Sequence, residues 1–371
     1  MFPYTGDYIE HIKGDENNFK YYTFTPRPLM NGDMFKMDDE LTALLIEAHH
    51  NIGFLEGLVK YAPNKDAFGE LMLLKECVYS RMIDYASPTF QEVLVSRGRG
   101  KGDITPIIDL ELAYKMSENK KITAPNLSKL CGIALYGNVT DDLVDIRNRQ
   151  TFLSNVRTNL KSYNPTAPDA VLPALTDISA YLYNNEETDS LIKAALVHYQ
   201  FEMIHPFEQY NGIIGRIIVP MVLRDMVNGA LPLICLSEYL YHNKNEYFDL
   251  LRTTQYSGGY IRWIKFFVNA VGQVAKHASE LMIQYEQYIT EDWGRLMDAG
   301  TQPKSILLVY EYLKRRPIVS TSFVAKDIGL SFNSVSKALH ILQEYGIVLQ
   351  MSADKRNRIW VHRSLSNETN M

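Results

Sequence analysis

Apolar side chains recur at helical spacing over most of this chain. Leu41, Leu44, Leu45 and Ala48 follow Asp38, a residue type that caps helix N-termini. Leu71, Leu74, Lys75, Val78 and Met82 form one stripe, which predicts a second helix from Asp66 to Ile83. The same spacing predicts helices from Ile107 to Met116, Leu127 to Tyr136, Val171 to Asn184, Leu191 to Met203 and Ile213 to Met226. A further helical stretch runs from Leu231 to Leu251, and a long one from about Trp263 to about Tyr288. Polar and apolar residues alternate from Asp145 to Leu153, which predicts a short strand or hairpin. Residues 1 to about 36 mix aromatics with prolines and read as an extended arm lying on a later domain. No internal repeat is visible.

The pattern changes near Thr301. Three short helices are predicted: Ser305 to Lys314, Ser322 to Ile328, and a third capped by Asn333 or Ser334 that spans 333–345. Gly329-Leu330-Ser331 makes the turn between the last two. Two alternating runs follow, from Gly346 to Leu349 and from Arg358 to Val361, with 354–357 as the tip between them. This order resembles a winged helix-turn-helix, with 333–345 as the recognition helix.

Charge sharpens that division. The chain carries a formal net charge of −5, yet between 302 and 363 there are ten lysines and arginines against four acids. Such asymmetry points to a separate domain, able to fold alone, with duplex DNA as partner. Ser334 and Lys337 would reach base edges or phosphates, and Lys355, Arg356 and Arg358 would position the backbone from the wing. A protein-docking winged helix is the competing reading.

The remaining composition is ordinary for a globular chain of 371 residues, long enough for two or three cores. Cys77, Cys131 and Cys235 are far apart and lack metal-ligand spacing, so they read as free core thiols in a reducing compartment. No signal peptide and no bilayer-spanning run is evident, which places the expectation in the cytoplasm, away from membranes. The glycine-rich basic run Ser96 to Asp103 reads as a solvated loop or as a phosphate contact.

The chemistry concentrates at His205-Pro206-Phe207-Glu208-Gln209-Tyr210-Asn211-Gly212-Ile213-Ile214-Gly215-Arg216. An imidazole opens a short loop, and Asn-Gly then leads into a helix. The N–H groups and positive dipole end of a helix N-terminus favour phosphate. A base beside such a cradle suggests phosphoryl or nucleotidyl transfer, although an ordinary loop has the same residues. With the preceding run Ala194 to Phe207, this segment resembles the Fic family, whose pattern is His-x-Phe-x-(Asp/Glu)-Gly-Asn-Gly-Arg-x-x-Arg. His205, Phe207, Asn211, Gly212 and Arg216 fit. Gln209 replaces the acidic metal ligand, Tyr210 the first glycine and Ile213 the first arginine.

The resemblance covers about 60 to 285 and implies a mainly α fold. That fold is a Fic-type helical bundle with a small β-hairpin flap, followed here by the winged helix-turn-helix. The implied division is 1–120 for an N-terminal helical region, 121–285 for the Fic-like core, 286–301 for a helical linker and 302–371 for the C-terminal module. The implied activity is AMP transfer from ATP to a protein hydroxyl, with His205 as the base. Asn211, Gly212, Ile213 and Arg216 would bind phosphates, and Asn243 and Tyr247 would lie near the base, although a core aromatic explains Tyr247 equally well. Mg²⁺ would fall to Gln209, a neutral ligand. Ser80 and Asp84 resemble the family's inhibitory helix, (Ser/Thr)-x-x-x-Glu-(Gly/Asn), and imply an Asp84–Arg216 pair. The hairpin near 147–153 would receive a protein target by strand addition. A homodimer is left open. The alternative is an inactive Fic-like domain that binds a nucleotide or protein within a DNA-binding regulator.

Overall fold

The computed structural model describes residues 5–13, 19–30, 34–100, 102–137, 143–154, 161–185, 187–227, 233–257, 259–300, 302–351 and 358–365. The fold is mainly α, as the apolar spacing predicts.

The N-terminal arm is a hairpin. Strands β1 (Gly6–Lys13) and β2 (Phe19–Pro26) pair antiparallel, with Gly6 opposite Pro26. It lies along the helical body: the Phe24 N–H donates to the Asn164 carbonyl at 3.0 Å, and Gln200 Nε2 donates to the Arg27 carbonyl at 2.8 Å. Helix α1 (Asp39–Tyr61) begins where the sequence predicts, with the Asp38 carboxylate accepting the Leu41 N–H at 2.8 Å. Helix α2 (Lys65–Asp84) follows the predicted stripe.

Helix α3 (Phe90–Arg99) absorbs the first half of the basic glycine-rich run. Its start was legible, because Thr89 and Glu92 form a reciprocal capping box. Arg97 is paired with the buried Glu111, which leaves it no phosphate role. Helices α4 (Thr105–Ser117) and α5 (Ala124–Tyr136) come next. The predicted strand over 145–153 is displaced: residues 143–152 are irregular, and the hairpin pairs β3 (Leu153–Ser154) with β4 (Lys161–Tyr163).

Helices α6 (Pro168–Asn184), α7 (Ser190–Ile204) and α8 (Asn211–Val227) form the centre. All of α7 from Leu191 to Ile204 except Lys193 is buried, so this helix is enclosed on every side. The stretch expected as one helix before residue 251 is two, α9 (Leu236–His242) and α10 (Lys244–Ser257). Helix α11 (Ile261–Asp298) runs unbroken through the expected 285/286 boundary, so 286–298 is the end of a core helix. It packs along α1, where a Cβ added at Gly272 would stand 3.0 Å from the Ala48 Cα and Cβ. Among the described residues, no helix is long and apolar enough to cross a membrane.

The C-terminal region holds α12 (Lys304–Arg315), β5 (Ile318–Ser320), α13 (Thr321–Ile328), α14 (Phe332–Glu344), β6 (Val348–Gln350) and β7 (Ile359–His362). Its sheet has the antiparallel order β5-β7-β6. Ser331, not Asn333 or Ser334, caps α14, accepting the Ser334 N–H at 3.1 Å. The region is docked rather than tethered. Asp292 of α11, fully buried, accepts from His362 Nε2 and from Arg363 Nε, each at 2.7 Å. Tyr285 donates to the Lys314 carbonyl at 2.8 Å, and Lys314 Nζ reaches Asn64 at 3.1 Å. These polar bonds fix the C-terminal region against α11 and the start of α2.

Candidate functional site

The site forms where α7 stops and α8 starts. A residue preceding proline is disfavoured in helical conformation, and α7 ends on His205 before Pro206. His205 turns left-handed with φ 50°, and Tyr210 does so with φ 65° at the other end of the loop. Asn119 is the one other non-glycine residue with positive φ among those described. Strain of this kind needs surrounding structure to hold it.

Asn211 supplies part of that support. Its Oδ1 accepts the Phe207 N–H at 2.9 Å and its Nδ2 donates to the Phe207 carbonyl at 2.8 Å. The buried Phe207 ring anchors the loop in the core. Asn211 therefore braces the loop with both side-chain atoms. The expected phosphate contact from this residue falls to its backbone.

On the imidazole of His205, Nδ1–H donates to the Glu202 carbonyl at 2.7 Å. That bond sets the tautomer and makes Nε2 the basic nitrogen. Burial, helped by the Arg147 guanidinium, draws this imidazole down to about 4, so it is neutral at neutral pH. Burial likewise pushes the Glu202 carboxyl up to about 8, against the pull of Arg216, so it stays protonated.

Opposite this corner lies the end of α2. Arg216, 1% exposed, donates from Nε to Ser80 Oγ at 2.8 Å and from Nη2 to the Ser80 carbonyl at 2.8 Å. Nη2 also donates to Asp84 Oδ2 at 2.6 Å. Burial is the largest single influence and opposes charge on Arg216, but Asp84, Tyr247 and Glu202 together outweigh it and raise the guanidinium above its ordinary value. Asp84 also stands over the start of α8. A Cβ added at Gly212 would lie 2.7 Å from Asp84 Oδ2 and 3.0 Å from Arg216 Nη1. A carboxylate thus rests on the N-terminal turn of α8, in the cradle where the dipole favours an anion.

Two tyrosines complete the wall. Tyr210 accepts a hydrogen bond from Arg81 of α2, and its ring lies 5.3 Å from that of Tyr85. The Arg81 guanidinium sits 5.1 Å from the Tyr85 ring and 5.6 Å from the Tyr210 ring. Both tyrosines stand where the family pattern has a small residue, and they meet each other. Neither position shows this alone in the sequence.

Other expected site residues fall elsewhere. Ile213 is fully buried, so its aliphatic side chain meets the core. Tyr247 is 1% exposed and bonded to His198 at 2.9 Å, which makes it a core residue rather than a wall for a nucleotide base. His198 also donates to the Gly215 carbonyl at 2.9 Å and stacks on Trp263, and burial draws it down to about 4. Asn243 caps α9, donating to the Tyr239 carbonyl at 2.9 Å. Gln209 is exposed. Mg²⁺ seeks carboxylate oxygens. Here the loop offers a neutral amide at 209, Asp84 is committed to Arg216, and Glu202 keeps its proton. This donor set does not fit Mg²⁺. In the C-terminal region Ser334 is partly buried against the Ser331 cap at 2.8 Å, and Lys337 is exposed. Arg358 donates to His340 of α14 at 2.8 Å, while Lys355 and Arg356 lie outside the described residues.

Residues 133–223 match the Fic/DOC family model. This segment is a Fic domain. The chain is 31% identical over 144 residues to the protein adenylyltransferase fic-1 of Caenorhabditis briggsae, covering 38% of this chain and 25% of that one. It is 30% identical over 93 residues to a probable protein adenylyltransferase of Aquifex aeolicus, covering 25% of this chain and 27% of that protein. The chain thus spans about a quarter of the length of these relatives. In fold it is similar to a Fic family protein from Desulfovibrio desulfuricans, with a TM-score of 0.58 at 14% identity over 89% of this chain and 98% of that one. A structure of fic-1 from Caenorhabditis elegans gives 0.50 at 18% identity, over 66% of this chain and 74% of that one.

Proposed function

We propose that the chain is a protein adenylyltransferase of the Fic type, transferring AMP from ATP to a protein hydroxyl and held off by Asp84. The observation that carries this reading is the Asp84 carboxylate on the α8 N-terminus, bonded to Arg216 and facing the corner that holds His205. An anion already sits where a phosphate would bind, and a neutral imidazole with a set tautomer stands at the end of the preceding helix.

In the transfer, the target hydroxyl oxygen bonds to the α-phosphorus, the bond from that phosphorus to the β-bridging oxygen breaks, and pyrophosphate leaves. His205 Nε2 takes the hydroxyl proton. The N–H groups at 211–213 hold the phosphate, and Arg216 turns from Asp84 to the polyphosphate. Gln209 and Ile213 bring no charge to this step, so its electrostatic stabilisation rests on Arg216 and the helix terminus. Incubation with labelled ATP tests the reading. Asp84→Ala should label protein, wild type less, and the double variant with His205→Ala not at all. No label from Asp84→Ala with any divalent cation would overturn it.

One observation favours the second reading, an inactive nucleotide-binding domain within a DNA-binding regulator. Tyr210 fills the position of a glycine at positive φ and is held there by Arg81. What supports a winged helix that docks duplex DNA is the order of α12, α13, α14 and the β5-β7-β6 sheet, with Lys337 exposed on α14. A protein target would pair with the β3–β4 hairpin, whose first strand follows Arg147 in the chain. The three buried free cysteines favour a cytoplasmic setting.

A further inference from the structure

Arg147 sits in the irregular stretch before the hairpin and is 3% exposed. Among the described residues, its hydrogen-bond partners are backbone carbonyls. Nε donates to the His205 carbonyl at 2.6 Å. Nη2 donates to the Ile204 carbonyl at 3.0 Å and to that of Thr166. Nη1 donates to the Arg149 carbonyl at 3.0 Å, and the Arg147 N–H donates to the Pro206 carbonyl at 2.9 Å. One residue therefore holds three consecutive carbonyls, 204, 205 and 206.

Those carbonyls belong to the last residue of α7, its cap and the residue after the cap. The last carbonyls of a helix lack intrahelical donors, and the negative dipole end favours a cation. A buried guanidinium persists only where hydrogen bonds replace its water, and the carbonyls here do so. Burial draws it down to about 10, which leaves it charged at neutral pH. The residue at this cap is His205, in a left-handed conformation that side chains with a Cβ resist. A glycine would end the helix without help. Histidine needs its backbone held from outside.

We propose that Arg147 is the positioning residue for His205: by clamping the end of α7 it fixes the strained cap and aims the imidazole at the α8 N-terminus. The clamp is a matter of backbone geometry, whereas its bearing on turnover rests on His205 being the base. Two further features support the assignment. The Glu202 carbonyl that receives Nδ1–H belongs to the same last turn, so moving that turn moves the tautomer lock. The guanidinium also adds to burial in keeping the imidazole neutral, while Asp84 acts in the opposite sense.

The test uses the full chain with Arg147→Met and Arg147→Lys. Nitrogen-15 NMR of histidine-labelled protein reads the imidazole directly, its signal assigned by its loss in His205→Asn. In Arg147→Met the His205 titration midpoint should rise by about one pH unit or more, and the Nδ1–H tautomer should give way to a mixture. Arg147→Lys keeps the charge and reaches fewer carbonyls. It should retain most of the midpoint and still lose the single tautomer. In the Asp84→Ala background, both should lower kcat for AMP transfer by about a hundredfold, with KM for ATP within about twofold, as a small misplacement of a reacting group does. A folded Arg147→Lys with the wild-type His205 tautomer and undiminished kcat overturns the proposal, whether or not Arg147→Met folds. If Asp84→Ala transfers no AMP, the adenylyltransferase reading fails, and the NMR arm alone decides the role of Arg147.

Discussion

Replacing Asp84 with alanine separates the two sides of the site. In the wild type, an incoming polyphosphate must displace the Asp84 carboxylate from the α8 cradle and from Arg216, a contact of 2.6 Å. A charge-assisted hydrogen bond of this kind contributes roughly 1.5–3 kcal/mol. Asp84 is a quarter exposed, so solvent screens part of the pair and the lower half of that range applies. At about 1.4 kcal/mol per decade, its removal should tighten ATP binding by about ten- to fiftyfold. The same change leaves the buried Arg216 with its two Ser80 bonds and no carboxylate bonded to it from α2, which should cost about 2 kcal/mol of stability without ligand. Both effects are read together. Calorimetric titration with ATP gives the affinity, and thermal unfolding with and without ATP gives the linkage. The variant should melt below the wild type alone and gain more from ATP. Asp84→Asn keeps the volume, loses the charge, and should fall between. A folded Asp84→Ala with wild-type ATP affinity would refute the reasoning, because Asp84 would then not occupy the phosphate position.

Glu202→Gln should raise the melting temperature at pH 8 and above. Folded Glu202 keeps its proton to about 8, while the unfolded chain loses it near the ordinary carboxylate value, so the folded state binds more protons in between. The wild type should lose stability as pH rises through that window and hold level above it. The variant should lack this slope, and parallel curves would sink the prediction. His198 titrates the other way: it is neutral in the fold to about 4, so its contribution should fade as pH drops from about 6.5 toward 4, and calorimetry at low pH checks this. Gln209→Glu should create a Mg²⁺ dependence of AMP transfer in the Asp84→Ala background, and equal rates with and without Mg²⁺ would mean that the loop serves another chemistry. Lys337→Ala should weaken low-salt binding of the full chain to duplex DNA and reduce its salt dependence by about one phosphate contact, measured by fluorescence anisotropy. No binding by the wild type at micromolar protein would favour protein docking.

Helical periodicity was sufficient to place most elements, because an apolar stripe every three or four residues has few other uses. Asp38 marked the start of α1, and the loop from His205 to Arg216 was legible as a base followed by an anion cradle. The resemblance to the inhibitory helix implied an Asp84–Arg216 pair, which the geometry contains, and Ser80 holds the same guanidinium besides. Where local signals were weak, the reading slipped: the hairpin lies eight residues late, and α3 hid in a run whose glycines suggested a loop. The Thr89 and Glu92 spacing at its start carries the helix signal.

What the sequence determined by itself was the run of helices and the chemical type of the loop, since both depend on residues close together in the chain. Only the tertiary structure decided what distant residues do to one another. It turned Tyr247 into a core partner of His198, spent the Asn211 side chain on its own loop, and joined Tyr210 to Arg81 and Tyr85. It also buried Asp292 between His362 and Arg363, binding the basic C-terminal region to α11. Within the site alone, such contacts join residues up to 136 positions apart. No periodicity encodes such pairs, because each depends on how whole helices pack, and packing follows from the summed shape of the core rather than from any local pattern.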